Sequence, residues 1–145
     1  MKVIGGEAPT NPFLVEAMRR VVMKDGARTR KTFFKELLRS TFLVPLSEEA
    51  QIRPDGRLDK GQVPMVMGKD AEGYLHMLAF TDVVALNAWG SDARHAAVMP
   101  ASTLFKAAVE NRIETITLNY KQPVSLTISR PDIEALAEGR IRSAK

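Results

Sequence analysis

Hydrophobic and polar positions along this chain change period several times, and each change marks an element. Asn11-Pro12 is a helix start, with Asn as cap and Pro at the first helical position, after an arm over 1–10 that is expected to be loose. The helix should run to about Lys24, with Leu14, Met18, Val21 and Val22 on one face, before Asp25-Gly26 ends it. A second helix, about Ala27 to Ser40, directs Phe33, Phe34, Leu37 and Leu38 inward. Thr41–Leu46 reads as a strand that lies at an edge or ends at Pro45, which cannot donate to a ladder. A polar loop over Ser47–Gln62 follows, then a strand at Val63–Met67 and a hairpin turn at Gly68–Gly73.

Gly73–Trp89 organises the middle of the chain. Tyr74–Phe80 is nearly unbroken in its apolarity, which predicts a strand covered on both faces. Thr81 or Asp82 can cap a helix carrying Val83, Val84, Leu86 and Trp89. His95–Met99 reads as a short strand. Pro100–Ser102 then opens a helix with Leu104, Phe105, Ala108 and Val109 inward, ending near Asn111. Thr115–Asn119 and Val124–Ile128 alternate as the two arms of a hairpin around Tyr120–Pro123. Ser129-Arg130-Pro131-Asp132 resembles a capping box for a last helix with Ile133, Leu136 and Ala137, stopped by Gly139 and followed by a basic tail expected to fray. The order α-α-β-β-β-α-β-α-β-β-α predicts an α+β fold: one domain over 1–145 (core about 11–139), a single mixed β-sheet with helices packed over it, two of them N-terminal.

Charge changes this picture more than composition does. The chain of 145 residues carries a net +4, but residues 1–46 hold nine Lys/Arg against four Asp/Glu, while 47–145 hold twelve against thirteen. The basic excess belongs to the first two helices. On the second, Arg28, Lys31, Lys35 and Arg39 recur at spacings of 3, 4 and 4 and stack into a stripe beside the apolar face. A solvated helix face accounts for such a stripe, and so does a docking surface for an acidic protein. Nucleic acid is not the expected partner, because the stripe lacks interleaved aromatics and the rest of the chain is slightly acidic. No apolar run approaches the roughly 20 residues of a membrane helix, and no signal peptide is apparent. With no cysteine, the expected location is the cytoplasm.

Candidate chemistry is sparse. Gly61, Gly68, Lys69 and Asp70 fail as a phosphate-binding loop, since the glycines are too far apart and Asp70 stands where a hydroxyl must meet magnesium. His76 and His95 are read as structural, without a carboxylate cluster or helical pairing that would hold a metal. Neither a metal nor a cofactor is expected. Ser91, Asp92 and His95 have the residue types of a nucleophile, an acid and a base, but not the spacing of a nucleophile turn. With Thr81 they mark a possible ligand site where strands end and helices begin.

Several stretches together resemble the N-terminal domain of the SseB-type family, the enhanced-serine-sensitivity proteins of bacteria. They are Asn11–Met18, FFKELLRSTFLVPL at 33–46, AFTDVVALNAW at 79–89, and LNYKQPVSL followed by Arg130-Pro131-Asp132-Ile133. Tyr120 departs from the Pro that such domains often place after the Asn. The resemblance implies a cytosolic bacterial protein and carries over no catalytic residue. The expected function is therefore a non-enzymatic binding or adaptor domain with a protein partner, for which a homo-oligomer is also compatible. The alternative is a small-ligand or enzymatic site near Thr81, Ser91, Asp92 and His95.

Overall fold

Phe33, Phe34 and Leu37 on one side of a helix, and Leu14, Ala17, Met18 and Val21 on another, bury almost completely. These two helices are α1 (Pro12–Met23) and α2 (Ala27–Arg39), where the periodicity places them. The structure is a computed structural model and describes residues 2–46, 67–90 and 95–142. The expected loop over 47–62, and all but the last residue of the strand expected at 63–67, lie outside the described residues.

After α2 come β2 (Thr41–Pro45), β3 (Met67–Lys69), β4 (Leu75–Ala79), α3 (Val83–Trp89), β5 (His95–Pro100), α4 (Ala101–Glu110), β6 (Ile113–Leu118), β7 (Leu126–Ser129) and α5 (Arg130–Ala137). One further strand precedes them. The arm expected to be loose contains β1 (Lys2–Ile4), which pairs in parallel with β5 and sinks Ile4 into the core. Strand β5 has β2 on its other edge, so β1 satisfies backbone groups that would otherwise lie open.

The expected single sheet is instead two. One has the order β1-β5-β2 and the other β3-β4-β6-β7. The reason lies along one edge of β4. Its start pairs with β3, while Phe80, just past its end, exchanges two hydrogen bonds of 2.8 and 2.9 Å with Leu43 of β2. Ala79 turns its carbonyl toward Asn119 beyond β6, so by strand alternation Phe80 faces the edge that β3 uses earlier. Strands β2 and β3 thus follow one another along that edge. Among the described residues, only the Leu43–Phe80 bridge joins the two sheets.

The main core gathers α1, α2, α4 and α5 over one side of the strands, with Phe42 and Phe105 meeting edge-on at 6.3 Å. A smaller cluster of Leu43, Phe80, Ala85, Leu86 and Ala96 lies under α3, where Trp89 packs on Phe80 at 5.5 Å. Three valines expected inside are exposed: Val22, Val84 and Val109. Val22 and Val109 sit at the margins of their helices' apolar arcs, whereas Val84 lies on the side of α3 opposite Ala85, Leu86 and Trp89. Val22, for instance, falls about 90° from the centre of the arc set by Leu14, Ala17, Met18 and Val21 at 100° per residue.

Strand β4 is covered on one face only: Met77 and Ala79 are buried, but His76 and Leu78 on the other face are half-exposed. The tail also differs from expectation, since Ile141 packs on the core and Arg142 reaches Asp132. At the end of α5, Gly139 takes φ 76°, and the amides of Gly139 and Arg140 bond back to Leu136 and Ala135, closing the helix with a left-handed cap. No helix among the described residues is long and apolar enough to cross a membrane.

Candidate functional site

Three polar arrangements stand out, and the first is internal. Asn119 follows β6 with φ 55°, a conformation Asn tolerates better than most residues. Its side-chain oxygen accepts the Thr81 N–H at 3.0 Å and its amide donates to the Thr81 hydroxyl at 3.0 Å. That hydroxyl donates in turn to Asp82, whose other oxygen caps α3 through the Ala85 N–H at 2.8 Å. Asn11, expected to cap α1 with its side chain, does not do so. Its amide donates instead to the carbonyls of Thr81 at 2.6 Å and Thr41 at 2.9 Å. One amide therefore ties the start of α1 to β2 and to the β4–α3 junction. Thr81 is fully buried with its hydrogen-bonding groups committed to this cluster.

The other residues of the expected ligand site stand apart from it. His95 opens β5, half-buried, with its carbonyl accepting the Leu46 N–H. Ser91 and Asp92 lie outside the described residues. No hydrogen bond among the described residues joins Thr81 to His95. Nor do three His, Cys, Asp or Glu side chains gather as a metal-ligating group there.

The second arrangement is the basic stripe. Arg28, Lys31, Lys35 and Arg39 are all exposed on α2, and none belongs to an ion pair among the described residues. The neighbouring arginines behave differently. Arg19 and Arg20 converge on Glu16 at 2.6 and 3.3 Å, and Arg30 meets Asp25 at 2.8 Å. The Arg19 hydrogen bond is the main reason the Glu16 carboxyl is held down at about 2, and Arg30 likewise lowers Asp25. At the Arg39 end of the stripe lies a cleft of about 470 Å³ between the start of α1 and the end of α2. Phe13, 77% exposed, stands at its rim.

The third arrangement lies on the uncovered face of the four-stranded sheet. Asp70 follows β3 and folds the hairpin: one carboxylate oxygen accepts the N–H groups of Glu72 and Tyr74 at 2.9 and 3.0 Å. Its other oxygen meets His76 Nε2 at 2.8 Å, and His76 Nδ1 meets the Thr115 hydroxyl at 2.6 Å. The His76 hydrogen bond is the main influence lowering the Asp70 carboxyl, with the two backbone N–H groups acting in the same direction against partial desolvation. Thr117 and Thr127 pair beside them at 3.1 Å. His76, Thr115, Thr117 and Thr127 floor a cleft of about 520 Å³ that also takes in Gly68, Leu78 and Tyr120.

In the sequence His76 carries no sign of this. Its partners are six and 39 residues away, and only the alternation of Thr115–Asn119 hinted which way Thr115 points.

A family model described as SseB protein N-terminal domain matches residues 14–135, well over half the chain. The protein belongs to the SseB family. No curated protein and no solved structure matches it. The match spans this SseB domain from the first turn of α1 to α5, so it includes the stripe, the buried Thr81–Asn119 cluster and the open sheet face. The residues that carry the family resemblance serve mainly the buried framework: Phe33 and Leu37 in the core, Phe80 and Thr81 at the β4–α3 junction, and Asn119 after β6.

Proposed function

We propose that this SseB domain is a protein-binding module of adaptor type that acts in the cytoplasm, folded as one unit over about 11–139. Its docking surface is the stripe of Arg28, Lys31, Lys35 and Arg39, and its partner presents an acidic surface. The observation that carries this reading is a difference within the same two helices. Arg19, Arg20 and Arg30 are held in local ion pairs, whereas the four stripe cations have no partner among the described residues. Cations aligned on a rigid helix steer an acidic partner toward one orientation. The cleft beside Arg39, with Phe13 at its rim, adds an apolar contact of the kind that anchors an interface.

The experiment is an affinity purification of the tagged protein from its own cells with nuclease treatment, run beside the double charge reversal Lys31→Glu/Lys35→Glu. A stoichiometric protein is expected with the wild type, lost in the variant and at high salt. The variant should unfold within about 0.5 kcal/mol of wild type, because both side chains are exposed. Equal recovery of the partner with both proteins would remove the stripe as the docking surface.

A further inference from the structure

The polar chain on the open sheet face has a direction. A carboxylate can only accept, so the Asp70 contact places a proton on His76 Nε2. In the neutral ring Nδ1 is then the acceptor, and the hydrogen bond it makes is to the Thr115 O–H. Carboxylate, imidazole and hydroxyl are joined in the order in which a base is oriented and a nucleophile is activated.

Two features of the backbone build this alignment. Between Leu75 and His76 the register with β6 shifts by one residue, so that Thr115, not Glu114, stands opposite His76. Such bulges re-aim side chains and recur beside active sites. On the other side of His76 stands Gly68, where an added Cβ would meet nothing within 4 Å. The absent side chain leaves the imidazole's flank open to the cleft. At about 520 Å³ that cleft is within the range of small-molecule sites. Tyr120 lines it with a phenol that makes no hydrogen bond to another described residue.

We infer that Thr115 is a nucleophile toward small activated acyl donors, esters or thioesters, with His76 as its base, Asp70 as a positioning residue and Tyr120 as the donor to the carbonyl oxygen. Thr115 Oγ1 bonds to the acyl carbon as its proton passes to His76 Nδ1. The bond to the leaving alcohol or thiol then breaks with its electron pair, and the leaving group takes that proton. Water reverses the sequence: its oxygen bonds to the acyl carbon as its proton passes to His76 Nδ1, the bond from that carbon to Thr115 Oγ1 breaks with its electron pair going to the oxygen, Thr115 takes the proton back, and the carboxylic acid leaves. This activity is independent of the α2 stripe, which lies on a helix packed into the main core, away from the open face.

The test uses 4-nitrophenyl acetate on the full chain, with 4-nitrophenolate release followed by absorbance and the acetyl group located by peptide mapping after acid quench. Wild type is expected to carry acetyl on Thr115. Thr115→Ser should retain the ester and Thr115→Val should lose it. His76→Ala should slow acylation roughly 100-fold, the lower end of what a positioned base supplies.

Asp70→Asn keeps an oxygen for the turn but sets an amide N–H against Nε2. The ring proton then moves to Nδ1, a change read directly by ¹⁵N chemical shifts of the His76 ring, and acylation falls by a similar factor. Gly68→Val should slow acylation at least about tenfold by filling the cleft, with those ring shifts unchanged. Acetyl found only on lysine amines would overturn the assignment, as would Thr115 acylation that proceeds equally fast in His76→Ala.

Discussion

Strands β4 and β6 are tied by side chains at both ends, and the two ties are built differently. Past their C-terminal ends, Thr81 and Asn119 exchange hydrogen bonds at 3.0 Å in a site closed to water, with Asn11 adding a third element. Nearer their start, His76 and Thr115 meet at 2.6 Å on a face open to solvent, with the Asp70 and His76 side chains each about a third exposed. A buried polar group left without a partner costs far more than an exposed one, which water re-satisfies. The buried tie therefore holds the fold, and the open one is free to do something else.

The largest expected effect tests that contrast directly. Asn119→Ala removes the partner of the buried Thr81 N–H and forces alanine into φ 55°, so it should destabilise by about 3 kcal/mol in urea unfolding. Asn119→Gly separates the two causes, since glycine accepts that φ and should recover about 1 kcal/mol. Thr115→Val at the open end should change stability by no more than about 0.5 kcal/mol. Equal losses at both ends would erase the distinction.

Asn11 gives a sharper, smaller test. As a helix cap, Asp would replace it well. As a donor to the carbonyls of Thr41 and Thr81, Asp would set a carboxylate against two oxygens. Asn11→Ala should cost about 1–2 kcal/mol, and Asn11→Asp more than Asn11→Ala. Asp as stable as wild type would show that capping governs the position after all.

The smallest effect is one of pH. The folded Asp70 carboxyl lies below its ordinary value of 3.8, so its contribution is present above that pH and is lost as pH falls through the depressed folded value. As pH falls through that depressed value, the amides of Glu72 and Tyr74, which Asp70 holds, should lose protection from hydrogen exchange while that of Thr81 keeps it. Simultaneous loss at all three would mean that the open end cannot loosen by itself.

Much of the fold was legible because local rules decide it. The Pro12 start, the Asp82 cap, the Gly139 stop and the alternation of Ile116 and Leu118 depend on neighbours a few residues away. What stayed hidden depends on partners far along the chain. Val3 and Ile4 become a strand only because β5 has a free edge, and the sheet divides only because β2 and β3 share one side of β4. The basic stripe was legible as a pattern, but that it forms no ion pair among the described residues, while Glu16 and Asp25 engage Arg19, Arg20 and Arg30 instead, depends on the fold. The Asp70–His76–Thr115 chain was hidden for both reasons, since it needs a hairpin turn and a one-residue register shift together.

That register shift has a genetic side. Without Glu114, the run from Ile113 to Leu118 would read as unbroken alternation, Ile-Thr-Ile-Thr-Leu, with every apolar residue still facing the core. The core has no use for the extra codon. Its product is the added local twist and bend that a bulge imposes on a strand, delivered under the floor of the cleft. A family can thus gain or lose that curvature through a three-base insertion or deletion while every buried side chain of β6 keeps its identity.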